Sequence, residues 1–171
     1  SLFSKDLKEA TTVADGGKVV NDNPIRISSN SFHTPNEENM WFFEKMNAAI
    51  EQVNELTYGF DLYGYKDFQY TVYDGSKGGK YDAHMDLIMT DAKPANLLDT
   101  RKLSITLLLS EPEKDFTGGE FMIYEGGNPT RISAQKGTMI FFPSFMLHQV
   151  NPVASGIRKS IVIWVEGPKF K

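Results

Sequence analysis

A single helix-like segment followed by many short β-like runs is the pattern that most limits the fold of this 171-residue chain. From about residue 68 onward, β-branched and aromatic residues form short runs separated by Gly, Pro, Asn and Asp. The predicted strands are Phe68–Tyr73, Ala83–Ile88, Leu103–Ser110, Glu120–Tyr124, Thr130–Ser133, Thr138–Phe142 and Lys159–Val165, with an edge strand within Lys18–Ser28. Short strands at this spacing predict a mainly β domain, either a sandwich or a jelly roll.

The helix signal begins at Thr34, which can cap a helix, with Pro35 at the first helical position and Glu37 completing a capping box. The helix is predicted to run to about Glu55. Its apolar residues recur at steps of three and four, so one stripe should pack on a sheet. The stripe comprises Phe42 or Phe43, Met46, Ile50, Val53 and Leu56.

Composition excludes several kinds of protein and site. The chain has no cysteine, which excludes disulfides, thiolate metal sites and a cysteine nucleophile. No apolar run approaches the roughly 20 residues that span a bilayer, and the first residues lack a secretory signal pattern, so we expect no membrane partner and a cytoplasmic location. The net charge of −4, without a Lys/Arg cluster, argues against a nucleic-acid partner. Nothing in the sequence indicates an oligomeric state.

No repeat, linker or second helix-rich half interrupts the pattern. The sequence therefore predicts one domain over residues 1–171, in which residues 1–60 support a β core formed by residues 66–167.

The three histidines, His33, His84 and His148, limit the choice of metal site. His84 and Asp86 are two residues apart on a predicted strand, so their side chains should share one face. His148 is the best third ligand, since His33 precedes the predicted helix cap and should lie at the surface. Two histidines and one carboxylate form the facial site of non-haem Fe(II) oxygenases, although a surface ion pair also explains a lone His-x-Asp.

Arg158 follows His148 by ten residues and begins an apolar strand. Strand alternation places Arg158, Ser160, Val162 and Trp164 on one face. An arginine on an inward face needs an anionic partner, because a buried charge must be paired. A dicarboxylate co-substrate or an internal Asp or Glu could supply that anion.

The order His-x-Asp, distant His and then Arg makes the chain resemble the 2-oxoglutarate/Fe(II) dioxygenases, in particular their prolyl 4-hydroxylase-like branch. The resemblance extends from about residue 68 to residue 165. It rests on Tyr73, Tyr81-Asp-Ala-His-Met-Asp86, Leu103-Ser-Ile-Thr-Leu-Leu-Leu-Ser110, Phe116-Thr-Gly-Gly-Glu-Phe121, Phe141-Phe-Pro-Ser-Phe-Met-Leu-His-Gln-Val-Asn-Pro-Val153 and Gly156-Ile-Arg-Lys-Ser-Ile-Val-Ile-Trp164.

The resemblance implies a double-stranded β-helix (jelly roll) with a packed N-terminal helix. It also implies that Fe(II) is bound by His84, Asp86 and His148, that 2-oxoglutarate is bound by Arg158, Tyr73 and Ser160, and that Tyr81 and Trp164 form walls of the substrate pocket. No catalytic residue is expected beyond the metal centre. Leu108 occupies the position of a further co-substrate tyrosine in the arginine-using branch, and Gly118-Gly119 is expected to form a turn.

The implied reaction is hydroxylation of an unactivated C–H bond, with a prolyl residue of a peptide or protein as the favoured substrate. The implied cofactors are Fe(II), 2-oxoglutarate and O2, with ascorbate as an optional reductant. The loops Asp74–Lys80 and Thr90–Thr100 are expected to select the substrate. The alternatives are an oxygenase for a free amino acid or other small molecule, a non-catalytic jelly roll that binds a metal or small acid, and a cupin-like metalloenzyme without 2-oxoglutarate. The last of these leaves Arg158 unexplained.

Overall fold

A computed structural model describes residues 3–4, 6–10, 12–13, 19–20, 25–87 and 99–170. Its helix, α1, spans Met40–Val53 and continues into a π-helical turn at Asn54–Tyr58, and a short 3-10 turn spans Gly75–Lys77. The strands are β1 (Lys8–Glu9), β2 (Thr12–Val13), β3 (Val19–Val20), β4 (Arg26–Ile27), β5 (Ser29–His33), β6 (Phe68–Asp74), β7 (Lys80–His84), β8 (Asp99–Leu108), β9 (Phe116–Gly118), β10 (Phe121–Tyr124), β11 (Pro129–Ile132), β12 (Met139–Pro143), β13 (His148–Val150) and β14 (Val153–Pro168).

Within the described residues these strands form two main antiparallel sheets. The larger has the order β1-β5-β6-β14-β8-β12, with β9 also paired to β14, and the smaller has the order β11-β10-β13-β7-β4. A separate pair joins β2 to β3. Apart from β10 and β11, neighbouring strands in the two main sheets are distant in sequence, as in a jelly roll, so the cavity between the sheets receives side chains from both halves of the chain.

Helix α1 packs on the outer face of the larger sheet. Its buried side chains Phe42, Phe43, Met46 and Ile50 contact a cluster that includes Phe68, Tyr70, Leu103, Ile105, Ile161, Ile163 and Val165. Because side chains alternate along a strand, the residues between these on β6, β8 and β14 face the cavity. The helix therefore fixes which side chains of the larger sheet point inward.

The predicted start of the helix was wrong, because two asparagines hold a turn before it. Asn36 Oδ1 accepts hydrogen bonds from the backbone nitrogens of Glu38 and Asn39, and Asn39 Nδ2 donates to the carbonyl of Thr34 at 3.0 Å. These local bonds replace helical ones, so α1 begins at Met40 with Asn39 as its N-cap.

The predicted end of the apolar stripe was also wrong. The chain leaves α-helical geometry after Val53, and the wider turn ends at Gly59, whose φ is 61°. A π turn shifts later side chains around the axis, so Leu56 is 76% exposed.

Most predicted strands are present with ends displaced by a few residues, whereas the strand predicted at Ala83–Ile88 is instead β7 and ends at His84. Of the predicted edge strand at Lys18–Ser28, Arg26–Ile27 lies at the edge of the smaller sheet. Residues 88–98, which include most of the second predicted substrate loop, lie outside the described residues.

His33 was predicted to be a surface residue, which is wrong. It ends β5, a strand that the sequence reading missed, and it is partly buried. Its Nε2 lies 2.8 Å from Ser31 Oγ, and its ring stacks on Phe68 with centroids 5.1 Å apart. His33 therefore belongs to the packing beneath α1.

Among the described residues, no helix combines the length and apolar character needed to cross a membrane.

Candidate metal and co-substrate site

Three side chains that can bind a metal meet between β7 and β13. His84 ends β7, His148 begins β13, and the two residues are register partners in the antiparallel pair. Asp86 lies between them, with Oδ1 at 3.6 Å from His84 Nε2 and Oδ2 at 3.6 Å from His148 Nε2. Two atoms that each lie about 2.1 Å from one ion are about 3 to 4 Å apart, so the donor set fits a single transition-metal ion.

Asp86 reaches this position by a route that the sequence did not predict. It lies beyond the end of β7, and its backbone nitrogen donates to the carbonyl of Ser144 at 2.9 Å. Met85 is 52% exposed, so it turns away from the site as expected. The hydrogen bond to Ser144 therefore replaces strand pairing in directing Asp86 inward.

Both histidines are oriented by backbone carbonyls. His84 Nδ1 lies 2.8 Å from the carbonyl oxygen of Asp82, and His148 Nδ1 lies 2.9 Å from that of Met146. A carbonyl oxygen only accepts, so each Nδ1 carries the proton and each Nε2 offers its lone pair to the site.

The electrostatic environment favours neutral His84. Burial, followed by the repulsion of His148, lowers the pKa of His84 to about 4. The imidazole is therefore uncharged near neutral pH, which is the form that binds a metal.

Two serines that sequence reasoning missed support the carboxylate. The Ser104 hydroxyl donates to Asp86 Oδ2 at 2.8 Å and lies 2.9 Å from the Ser144 hydroxyl. Both serines are fully buried. Alternation along β8 could have placed Ser104 on the inner face, but nothing in the sequence pairs it with Asp86.

Arg158 lies on β14 opposite Tyr73 of β6, with its guanidinium carbon 5.4 Å from the Tyr73 ring centroid. It is 3% exposed, and burial lowers its pKa. Within the described part of the chain, no carboxylate lies within 4 Å of it and Nε has no hydrogen-bond partner, whereas Nη1 donates to Ser160 Oγ at 3.3 Å. An internal acidic partner is therefore absent from these residues, and a buried charge without one is suited to an anionic ligand.

All eight predicted site residues line one cavity: Tyr73, Tyr81, His84, Asp86, His148, Arg158, Ser160 and Trp164. The same cavity is lined by Arg26, Gln69, Thr106, Phe121, Phe142, Val150 and Val162. The structure thus brings the metal-binding group and the buried arginine into one compartment.

Glycine and leucine residues shape the region around Arg158. Gly118 ends β9 and Gly119 follows it, and their φ values of 69° and 61° lie in the left-handed region that favours glycine. A Cβ on Gly119 would lie 3.0 Å from Arg158 Cδ, so the missing side chain leaves room for the arginine stem. Leu108 is buried in a hydrophobic cluster that also contains Tyr73 and Phe116, and its aliphatic side chain adds no polar contact.

An arginine side chain packs over the ring of each predicted pocket-wall residue, Tyr81 and Trp164. The guanidinium carbon of Arg26 lies 4.5 Å from the Tyr81 ring centroid, and that of Arg101 lies 4.1 Å from the Trp164 centroid. Burial lowers the pKa of Arg101 and raises that of Tyr81. Neither arginine was predicted, because both lie in stretches without a distinctive motif.

Comparison with known proteins identifies relatives of the domain. A PKHD-type hydroxylase of Pseudomonas fluorescens is 35% identical over 89 residues, which is 52% of this chain but only 39% of that protein. The chain therefore matches well under two thirds of that curated relative.

Solved structures extend the likeness over most of the chain. A prolyl-4-hydroxylase of Pseudomonas putida gives a TM-score of 0.68 at 21% identity and covers 85% of this chain and 74% of its own. A viral collagen prolyl hydroxylase from Paramecium bursaria Chlorella virus-1, solved as a 2OG complex, gives 0.64 at 26% identity and covers 83% of this chain and 80% of its own. These likenesses confirm the predicted mainly β, jelly-roll-type fold with one N-terminal helix.

The model of the 2OG-Fe(II) oxygenase superfamily matches residues 68–166, which are more than half of the chain and include all the cavity-lining residues except Arg26. The family description names the metal and the co-substrate, which confirms the predicted Fe(II), 2-oxoglutarate and O2 as the reagents of the family, whereas ascorbate stays a prediction. With its His-Asp-His group and its buried arginine on one cavity, the chain belongs to the 2OG-Fe(II) oxygenase superfamily.

Proposed function

We propose that this chain is an Fe(II)/2-oxoglutarate-dependent dioxygenase that hydroxylates an unactivated C–H bond. The observation that carries the proposal is the joint placement of Arg158 and the His84, Asp86 and His148 group on one cavity. A simple metal-binding module or a cupin-like enzyme without 2-oxoglutarate has no use for the arginine.

His84, Asp86 and His148 would hold Fe(II) through three ligand atoms and leave the remaining coordination positions to 2-oxoglutarate and O2. When bound, the metal and co-substrate supply the oxidation, in which O2 converts 2-oxoglutarate to succinate and CO2 and gives one oxygen atom to the substrate C–H bond. No protein base is needed, so the chain's own task is to bind, orient and exclude water.

Arg158 would bind the carboxylate of 2-oxoglutarate that is remote from the metal. A guanidinium can donate two parallel hydrogen bonds to a carboxylate, and the low dielectric of a buried site strengthens that attraction. Ser160 Oγ accepts a hydrogen bond from Nη1 of Arg158, and the Tyr73 ring packs beside the guanidinium. The aromatic side chains of Phe121 and Phe142 exclude water from the metal side of the cavity.

For the substrate we propose a prolyl residue in a peptide or protein. Support comes from the names of the similar structures, which are prolyl hydroxylases, and from the cavity position of Trp164 and Tyr81. A free amino acid is the second candidate, since residues 90–98 of the second predicted substrate loop, Thr90–Thr100, lie outside the described residues. The cytoplasmic location and the single-domain organisation stay predictions.

The proposal is tested by separating co-substrate binding from metal binding. Arg158→Ala should raise the KM for 2-oxoglutarate at least tenfold, while the affinity for Fe(II) stays within about threefold of wild type. The reason is that the arginine does not contact His84, Asp86 or His148, which together are called the metal group below. Lys159→Ala is the matched control, since Lys159 is the exposed neighbour on β14. Equal losses of metal and co-substrate affinity would mean that Arg158 is structural.

The substrate is tested by succinate release in the presence of proline-containing peptides. Each peptide is paired with its Pro→Ala counterpart, and free amino acids form a separate series. Proline-dependent succinate release together with a mass gain of one oxygen atom on the peptide would support the peptide proposal, and stimulation by free amino acids alone would replace it with the second candidate.

A further inference from the structure

Three flat groups form a continuous stack at the exposed side of the metal group. The Tyr81 ring lies parallel to the His84 imidazole, with centroids 3.5 Å apart and an interplanar angle of 14°. The Arg26 guanidinium carbon lies 4.5 Å from the centroid of the same Tyr81 ring. Since His84 covers one face of Tyr81, the guanidinium must occupy the other face.

An irregular strand pairing creates this stack. Tyr81 and His84 are three residues apart and would point to opposite faces of a regular strand. In the pairing of β7 with β13, however, His84 faces His148 and Tyr81 faces Val150, so three steps along β7 match two along β13. This bulge brings Tyr81 onto the face of His84, and bulges commonly redirect side chains beside active sites.

Arg26 is placed by pairing and held by hydrogen bonds. It is the register partner of Tyr81 across β4 and β7. Its Nε donates to Ser28 Oγ at 3.0 Å, and its Nη2 donates to Asn30 Oδ1 at 3.2 Å. The guanidinium plane is therefore fixed independently of any substrate.

The two histidines of the metal group differ in what flanks them. The His84 side chain is 16% exposed, compared with 6% for His148. The rings nearest to His148 are those of His84, at 4.2 Å and tilted by 53°, and Phe142, at 4.6 Å and tilted by 58°, so no ring of the described residues lies parallel to it. A single hydrogen bond at Nδ1 leaves an imidazole free to tilt, and the more exposed His84 is the ligand that gains most from a second constraint.

We infer that Tyr81 and Arg26 are positioning residues for the metal site: the Arg26–Tyr81 stack fixes the plane of the His84 ring and aims Nε2 at the metal. The inference rests on the proposed function, in which His84 is a metal ligand. It adds to the predicted role of Tyr81 as a pocket wall, and it assigns a role to Arg26, which contacts neither the metal group nor Arg158. Partners that orient a ligand typically contribute 10- to 100-fold to metal affinity.

The test compares Mn(II) binding by the full chain, followed by electron paramagnetic resonance of the free ion, in three variants. Tyr81→Phe keeps the stacked ring and should bind Mn(II) within about threefold of wild type. Tyr81→Leu keeps apolar bulk without a flat ring and should bind at least about tenfold more weakly. Arg26→Gln removes the planar cation and should weaken binding by a smaller factor. The visible spectrum of Co(II)-loaded Tyr81→Leu should also differ from that of Tyr81→Phe.

Thermal unfolding of the metal-free variants separates positioning from folding. If Tyr81→Leu does not fold, the Mn(II) affinity of Arg26→Gln relative to wild type tests the inference by itself. Wild-type Mn(II) affinity in both Tyr81→Leu and Arg26→Gln would overturn the inference and leave Tyr81 a substrate wall only. Failure of the wild-type chain to bind Mn(II) would instead count against the proposed function itself.

Discussion

Replacing Arg158 by methionine should destabilise the metal-free protein by at most about 1 kcal/mol, or stabilise it. The same substitution should at least halve the response of the protein to 2-oxoglutarate. The substitution removes a long hydrogen bond to Ser160 of 3.3 Å and a contact with the Tyr73 ring at 5.4 Å. A hydrogen bond from a charged donor is worth about 1.5–3 kcal/mol, with the lower end expected for so long a bond, and a buried contact of a cation with a ring adds about 1–2 kcal/mol. Against this stands the desolvation of a charge that is 3% exposed, a cost of several kcal/mol. The net change should therefore lie between about 1 kcal/mol of destabilisation and a few kcal/mol of stabilisation.

The co-substrate response gives the second half of this prediction. At a 2-oxoglutarate concentration one hundred times its Kd, with Mn(II) in place of Fe(II) to prevent turnover, binding should stabilise the wild-type fold by about 2.7 kcal/mol. For a chain of this size that corresponds to a rise in Tm of about 5 to 11 °C. If the substitution raises the Kd at least tenfold, Arg158→Met should show no more than about half of this rise at the same ligand concentration, whereas the control Lys159→Met should show the full rise.

Thermal and urea unfolding with and without 2-oxoglutarate measure both effects. A loss of about 3 kcal/mol or more in metal-free Arg158→Met, with an undiminished rise in Tm on adding 2-oxoglutarate, would show that Arg158 stabilises the fold and does not bind the co-substrate. That result is what breaking an internal ion pair would give.

Three further predictions concern residues around the site and the core. Ser104→Ala should weaken Mn(II) binding by about 10- to 100-fold in a metal titration, because it removes the fully buried hydroxyl that donates to the Asp86 carboxylate. Unchanged binding would show that this hydrogen bond does not orient the ligand. Gly156→Ala should lower the free energy of unfolding by about 2 kcal/mol or more in urea, because φ is 73° and a Cβ would overlap the Asp115 carbonyl oxygen; a neutral effect would contradict the backbone geometry at that position. Burial raises the pKa of Tyr65 from 10.0 to about 12, so the folded state favours the neutral phenol. The stability that Tyr65 contributes in this way is present below pH 10 and is lost as the pH rises towards 12. In alkaline unfolding curves over that range, Tyr65→Phe should therefore lose less stability than wild type. Identical curves for the two proteins would contradict that assignment.

Regular alternation along strands accounts for what the sequence could predict. On β14, Arg158, Ser160 and Trp164 all line the cavity as expected, because this strand is long and paired on both sides. The scarcity of histidine reduced the choice of ligands to three side chains, and two of these meet at Asp86. Where the chain is regular and the residue type is rare, local patterns were sufficient.

Departures from regular geometry account for what the sequence could not predict. The bulge in β7 changes which residues share a face with His84, and Asp86 is directed inward by a backbone bond to Ser144, far away in sequence. The asparagine turn that delays α1 depends on side-chain bonds that compete with a plausible capping box. Ser104 and Arg26 act through partners in other strands, so their contributions depend on tertiary pairing.

The proposed iron and 2-oxoglutarate site is tested most directly by the visible spectrum of the chain after anaerobic addition of Fe(II) and 2-oxoglutarate. A 2-oxo acid chelated to Fe(II) gives a weak charge-transfer band. We predict this band for wild type, its loss in His84→Ala, and its appearance only at much higher 2-oxoglutarate concentration in Arg158→Ala. No band with wild type, or a band of full intensity in His84→Ala, would contradict the assignment of His84, Asp86 and His148 as the iron site.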